Sequence, residues 1–343
     1  MKYFIFLCFL ALMLDKQYTN AQTVEKTSQI LPIVHFQILQ NALAASVQIT
    51  SRAIDDAPSA KTLGKERQGS GVVIGSDGLI LTIGYLILES EQIEIRTSQQ
   101  KTYPAQFIAY DQATGFGLVK SLIPLQGIEP VKLGKVNDEK IDSALWVVSA
   151  GESTFSYPTK LIHVRSFTGY WEYHLDSAIY TSPPVANHSG TGLFNMKGEL
   201  IGIGSLFVQD VMPADHPSSL AGNMFVPVDL LEPILKSLLQ NGVGPNSQRA
   251  WLGINAVERQ GRIQIVRVTP ESPAQSAGIV PGQWLLGLNG KPVESLANFY
   301  KQLWEIPINS GSAQVTIFDG KTIYQIPIPI VDRSKTIKKP VGI

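Results

Sequence analysis

Asn187-His188-Ser189-Gly190-Thr191-Gly192-Leu193 is the stretch on which this chain turns. A serine set between a polar dipeptide and a glycine-rich turn is a candidate nucleophile. A serine hydroxyl attacks poorly until a neighbouring base takes its proton, so the decisive question is what the rest of the chain offers Ser189. Upstream runs Gly71-Val72-Val73-Ile74-Gly75-Ser76-Asp77-Gly78-Leu79-Ile80-Leu81-Thr82-Ile83-Gly84-Tyr85. Two apolar strands flank Ser76-Asp77-Gly78, a turn that tolerates positive φ, and the second strand runs out towards Tyr85.

Outward from these two stretches, residues 68–226 have an all-β texture: short Val/Ile/Leu/Tyr runs separated by Gly, Pro, Asp and Ser. Strands are expected at 93–96, 105–110, 117–120, 143–148, 162–166, 192–195 and 200–205, with a second hairpin turn at Met196-Lys197-Gly198-Glu199. Such spacing indicates a sandwich or barrel. Residues 227–239 carry helical periodicity and close this unit. Asn241 to Arg249 has the Gly, Pro, Asn and Ser content of a linker. A second unit spans 250–330, with a strong helix at Leu296–Trp304, and the short basic tail 331–343 is expected to fray. Ahead of the β region, 22–66 is a lead-in holding one helix, a strand near Ala44–Ile49 and a polar loop.

The hairpin through Thr82, the Gly117-Leu118-Val119-Lys120 segment, the Ser189 turn and Asn195-Met196-Lys197-Gly198-Glu199-Leu200-Ile201-Gly202-Ile203 together resemble the HtrA/Deg-type trypsin-like serine proteases. The resemblance implies a mostly β chain: a double six-stranded barrel over 67–240 with catalytic residues at the barrel interface, then a PDZ domain. Carried over position by position, it departs from the family where chemistry is needed. The general-base histidine position is occupied by Tyr85, and the orienting carboxylate position by Gly115 within Thr114-Gly115-Phe116-Gly117. Asn187 stands where the family has an oxyanion-hole glycine. Ser189 alone is kept. Tyr85 has an ordinary pKa of about 10 and is a poor base near neutrality; its expected role is packing at the barrel interface with a hydrogen-bonded hydroxyl. Of the five histidines, His188 neighbours Ser189 in sequence but should point away from it, which leaves His35 in the lead-in and the Asp111 carboxylate as other sources of a base.

In the second unit, Trp251-Leu252-Gly253-Ile254 resembles the carboxylate-binding loop of PDZ domains. Ser272-Pro273-Ala274-Gln275-Ser276-Ala277-Gly278-Ile279 and Pro281-Gly282-Gln283-Trp284-Leu285-Leu286-Gly287-Leu288-Asn289-Gly290 extend the PDZ pattern, with Gln283 where aspartate is usual. The resemblance implies that backbone N–H groups of the loop hold a terminal carboxylate while an extended peptide adds a strand beside Ile254. Phe299 and Leu303, at i and i+4, share the helix face that would form the other wall; Phe299, Leu286 and Leu288 read as core, and Trp251 to Ile254 as groove.

Composition narrows the rest. The chain has 343 residues, enough for two cores, and its 28 basic and 28 acidic residues balance without a basic stripe, which excludes a nucleic-acid footprint. Lys2, the apolar run Tyr3–Leu14 and Thr19-Asn20-Ala21 form a signal peptide over 1–21 with cleavage near Ala21; an uncleaved membrane anchor is the alternative. The single cysteine, Cys8, lies inside it, so an exported mature chain would carry no disulfide, thiol chemistry or cysteine metal site, as fits a periplasm or envelope space. No metal or organic cofactor is expected. The functional expectation is an exported HtrA-like pseudoprotease that binds unfolded polypeptides or C-terminal peptides as chaperone, adaptor or regulator, as a homo-trimer or beside active relatives. The alternatives are an active endopeptidase using Ser189 with a non-standard base, and an envelope scaffold whose PDZ domain docks one partner.

Overall fold

The computed structural model describes residues 39–213 and 216–338. The signal peptide, Ala21, His35 and the apolar lead-in candidate Phe36 lie outside the described residues. Helix α1 (39–45) runs directly into β1 (Ser46–Ala53). That strand belongs to the first barrel, which therefore begins inside the expected lead-in. The barrel continues with α2 (Ala60–Leu63), β2 (Glu66–Val73), β3 (Leu79–Ile83), β4 (Ser90–Arg96), β5 (Thr102–Tyr110) and β6 (Phe116–Ser121). Its antiparallel strands close in the order β1-β2-β3-β6-β5-β4. The second barrel comprises β7 (Ala144–Ser149), β8 (Phe155–Gly169), β9 (Tyr173–Ser182), β10 (Gly192–Phe194), β11 (Leu200–Val208) and β12 (Gly222–Pro227), closed in the order β10-β11-β12-β9-β8-β7. One apolar core runs from Val47, Ile80 and Leu118 of the first barrel into Tyr180, Phe194 and Met224 of the second. Closure leaves neither sheet an open edge.

The double barrel matches the expected architecture, with β9, β12 and the first half of β8 beyond the strands expected from sequence. Every residue of β12 is buried, so it lacks the alternation that marks a half-exposed strand. The closing helix is also not one piece. A 3₁₀ turn at Val228–Leu230 precedes α3 (Glu232–Asn241), because Pro233 has no N–H and suits only the first turn of a helix.

The C-terminal module is built on an antiparallel sheet ordered β14 (Ile254–Arg259), β15 (Arg262–Val268), β16 (Trp284–Leu288), β18 (Ser312–Phe318) and β19 (Ile323–Pro329), with β17 (Lys291–Pro292) paired to β16. A two-stranded pair, β13 (Ala250–Trp251) with β20 (Val331–Asp332), ties the two ends of the module together. Helices α4 (Pro273–Ser276) and α5 (Leu296–Trp304) complete it. Ser295 caps α5, its hydroxyl accepting from the Asn298 N–H at 3.0 Å, and Leu296, Phe299, Tyr300 and Leu303 form the buried stripe.

Neither connecting segment is loose. Ser247 of the expected linker is fully buried; its hydroxyl donates to Asp111 Oδ1 (2.5 Å) and accepts from the Gln112 N–H (2.9 Å). The tail, expected to fray, is docked as far as residue 338. It forms β20, and the Lys338 N–H donates to Glu89 Oε1 at 2.9 Å. Ser247 looks like linker in composition, yet it supplies the two hydrogen bonds that dock this segment.

Candidate active site and peptide groove

Ser189 sits on the turn before β10, at the seam between the barrels. Its carbonyl accepts from the Ser70 N–H of β2 at 2.9 Å. Gly190 has φ +73°, and a Cβ there would collide with the Ser70 carbonyl, so the turn needs glycine to approach β2 this closely. Tyr85 lies on the 3₁₀ turn Gly84–Leu86 after β3. The Tyr85 and Ser189 hydroxyl oxygens are 2.8 Å apart. Tyr85 Oη also lies 2.8 Å from the Ser205 carbonyl.

These two contacts fix the direction of the protons. A carbonyl only accepts, so the single phenolic proton goes to Ser205. The Ser189 hydroxyl must then donate to Tyr85 Oη. Burial pushes the Tyr85 pKa up to about 12, with the Ser189 hydrogen bond working the other way. The phenol therefore stays neutral at physiological pH, and a neutral phenol does not remove a proton from serine.

At Gly115, the position expected for the carboxylate, the backbone leaves little room for a side chain. Gly115 has φ +83°, and its carbonyl accepts from the Gly84 N–H at 2.7 Å. A Cβ there would lie 3.1 Å from the Tyr173 hydroxyl, which itself donates to the Thr114 carbonyl at 2.5 Å. Tyr173 is buried and fills the place beside the loop. Asp111, the nearby carboxylate, is turned away: Oδ2 accepts from the Thr114 N–H (2.8 Å) and hydroxyl (2.6 Å), and Oδ1 takes Ser247.

No imidazole substitutes for the missing base among the described residues. His188 Nδ1 pairs with the Ala186 carbonyl at 2.9 Å, and burial lowers its pKa. His163, His174 and His216 are engaged with Val164, with Thr168 and Asp176, and with Ser218. Asn187 is exposed, is not among the residues with positive φ, and its carbonyl accepts from the Ser149 hydroxyl at 3.2 Å.

A residue that sequence reasoning missed holds this geometry. Arg67 is almost fully buried. Its guanidinium donates to the carbonyls of Gly64 (3.0 Å), Tyr85 (3.1 Å) and Leu88 (2.6 Å) and to the Ser59 hydroxyl (2.7 Å), clamping the turn that carries Tyr85. Glu89 accepts from the Ser59 hydroxyl at 2.5 Å and from the tail, so the turn and the chain end share one network. A basic residue before an apolar strand gives no signal of such a role.

In the C-terminal module the expected groove residues are brought together but covered. Trp251, Leu252, Ile254, Phe299 and Leu303 are all buried. Gly253, at φ +84°, bends the loop so tightly that a Cβ would strike Ser272. Gln283 replaces the usual aspartate with its own bonds, Nε2 donating to the Tyr324 hydroxyl at 2.9 Å and Oε1 accepting from Val280 N–H at 3.1 Å. Arg249 stacks on Trp304 at 3.7 Å and donates to the Gln112 carbonyl at 3.2 Å, and Arg333 lies over Trp251 at 4.7 Å.

Residues 69–203 match the trypsin-like peptidase domain family, and residues 264–301 match the PDZ domain family. The chain is 28% identical over 242 residues to a probable periplasmic serine endoprotease DegP-like from Marinomonas sp. (strain MWYL1), covering 66% of this chain and 49% of that protein. A protein of the same description from Pseudomonas fluorescens is 26% identical over 270 residues, covering 74% and 54%. The chain thus spans about half the length of these curated relatives. Among solved structures, the serine endoprotease from Yersinia pestis superposes with a TM-score of 0.52 at 21% identity, covering 87% of this chain and 97% of that one. The HtrA-type protease AlgW with decapeptide superposes with a TM-score of 0.54 at 15% identity, covering 87% and 98%. Those two likenesses carry the fold. The chain thus carries a trypsin-like peptidase domain followed by a PDZ domain, and the curated proteins it resembles are DegP-like serine endoproteases.

Proposed function

We propose that this chain is an exported pseudoprotease that captures extended polypeptide, C-terminal peptides or unfolded segments, through its PDZ groove. The observation that carries the first half is the hydroxyl pair at the barrel seam: Ser189 is hydrogen-bonded to Tyr85 Oη at 2.8 Å and keeps its proton, because Tyr85 is a neutral phenol already committed to the Ser205 carbonyl. Serine in that state lacks the base that triad chemistry requires, and loss of a triad's function costs on the order of a million-fold in rate. The periplasmic description of the relatives and the short apolar run at 3–14 support export. Among the described residues no helix is long and apolar enough to cross a membrane.

The second half rests on the module. Its outer strand β14 and helix α5 border a groove headed by the Trp251–Ile254 loop, the arrangement in which a peptide adds as a strand and its carboxylate meets backbone N–H groups. The test is hydrolysis of unfolded casein by the wild type beside Ser189→Ala, with binding of the same casein measured in parallel. Binding without cleavage, equal in both proteins, is expected. Cleavage that disappears in Ser189→Ala would overturn the pseudoprotease reading.

A further inference from the structure

The turn Tyr170-Trp171-Glu172, at the tip of hairpin β8–β9, reaches from the second barrel into the C-terminal module and lies in the groove just described. Both walls hold it. β14 is the edge strand of its sheet, and the Ala256 N–H on that strand donates to the Tyr170 carbonyl at 3.1 Å, the kind of bond an added strand would make. From α5, the Tyr300 hydroxyl donates to the Gly169 carbonyl (2.9 Å) and accepts from the Glu172 N–H (3.1 Å). Beside the tip, Lys301 pairs with Asp176 at 2.5 Å.

Glu172 reaches furthest in. It is 7% exposed, and neither carboxyl oxygen closes a hydrogen bond of good geometry. Burial pushes its pKa up to about 7; the Arg333 and Arg249 guanidinium groups and the N–H groups of Ile254 and Leu252 work against that rise. Those two N–H groups belong to the loop that resembles a carboxylate-binding loop. The backbone makes the placement more telling. Glu172 occupies the last position of a three-residue hairpin turn at φ +59°, in the left-handed region that favours glycine. A turn left to its own preferences would not put a long acidic side chain there. Trp171 takes no part in the groove, since its ring folds back onto Phe167 and stacks on Tyr173 at 5.9 Å.

We infer that the groove is occupied in cis by the chain's own hairpin tip, through the Tyr170 carbonyl and Glu172, with the Glu172 carboxyl group at the loop that would receive a peptide's terminal carboxylate, so that external polypeptide binds by displacing this tip. The inference rests on the peptide-capture reading above and adds that the resting protein carries its own internal ligand.

Glu172→Gly removes the carboxyl group and suits the turn; Tyr300→Phe removes the hydroxyl that grips it. Two readouts on the full chain separate occupancy from capture. The first is hydrogen exchange at the Ala256 amide. The second is anisotropy of a labelled pool of decapeptides with free C-termini, with the amidated pool as control. Both variants should lose protection at Ala256 and bind the free-carboxylate pool more tightly than wild type, by about ten-fold for a tip that is docked about nine-tenths of the time. Unchanged protection and unchanged affinity in both variants would overturn the inference. Lost protection with no peptide bound by any of the three proteins would support tip occupancy and refute peptide capture.

Discussion

Restoring the family's carboxylate at Gly115 should damage this protein without reviving it. Three costs follow from the geometry. Gly115 sits at φ +83°, where an L side chain is strained by about 1–2 kcal/mol. A Cβ 3.1 Å from the Tyr173 hydroxyl must push that ring aside and loosen its hydrogen bond to the Thr114 carbonyl, worth about 1 kcal/mol. The new carboxylate would then lie beside a buried phenol while Arg249, the cation bonded to this loop, is already committed to the Gln112 carbonyl, and an unpaired buried polar group adds about 1–3 kcal/mol. Gly115→Ala should therefore cost about 2 kcal/mol and Gly115→Asp about 4 kcal/mol, read as a fall in urea midpoint at unchanged slope. Tyr85→His combined with Gly115→Asp should still leave casein uncut, because Tyr173 occupies the space the carboxylate needs. A double variant that cleaves casein, or a Gly115→Asp protein within 1 kcal/mol of wild type, would refute this account of the site.

Two further outcomes can be checked on the same preparations. Arg67→Ala strips partners from the carbonyls of Gly64, Tyr85 and Leu88 at a buried position, and should cost about 3 kcal/mol in urea unfolding, whereas a loss under 1 kcal/mol would show that the clamp is dispensable. Glu172, raised by burial to about 7, faces Arg249 ahead of β13, Arg333 after β20, Tyr300 on α5 and the N–H groups of Leu252 and Ile254. Its folded pKa lies above the unfolded value, so its contribution is fully present below the ordinary carboxylate range and is lost as pH rises from about 4.5 through about 7. The loss amounts to about 3 kcal/mol and should vanish in Glu172→Gln; an identical pH profile in that variant would remove Glu172 from the explanation.

How much of this was legible beforehand depends on the range of the contact concerned. The hairpin into Tyr85 and the turn at Ser189 are local patterns, and the resemblance they carry implied that both lie at the barrel interface; the bond between the two hydroxyls is seen only in the fold. The helix at Leu296–Trp304 was visible for the same reason, a 3.6-residue stripe behind a serine cap. Tyr173, Arg67 and the Ser205 carbonyl were not legible, because each acts on a residue far away in sequence and carries no local signature. Strand β12 was missed because it is buried on both faces, and the segment around Ser247 because a polar residue that bonds a distant Asp111 has the composition of a loop.

The same contrast bears on what kind of protein this is. A protease inactivated by one recent exchange would keep the rest of its site open around the lost group. Here the surroundings of Tyr85 and Gly115 are filled and bonded. A phenol closes the base position against Ser189 and Ser205, a second phenol stands over the carboxylate position, and a buried guanidinium fixes the turn between them. Each replacement satisfies polar groups that an empty site would leave exposed to water or unpaired. The barrels are thereby a rigid support, and the feature they project is the β8–β9 tip, which carries Glu172 into the module beyond. At the seam Ser189 meets a phenol that is also bonded to the Ser205 carbonyl, while at the tip Glu172 sits at φ +59°. On the proposed reading, the groove-side tip is therefore the feature on which peptide binding would act.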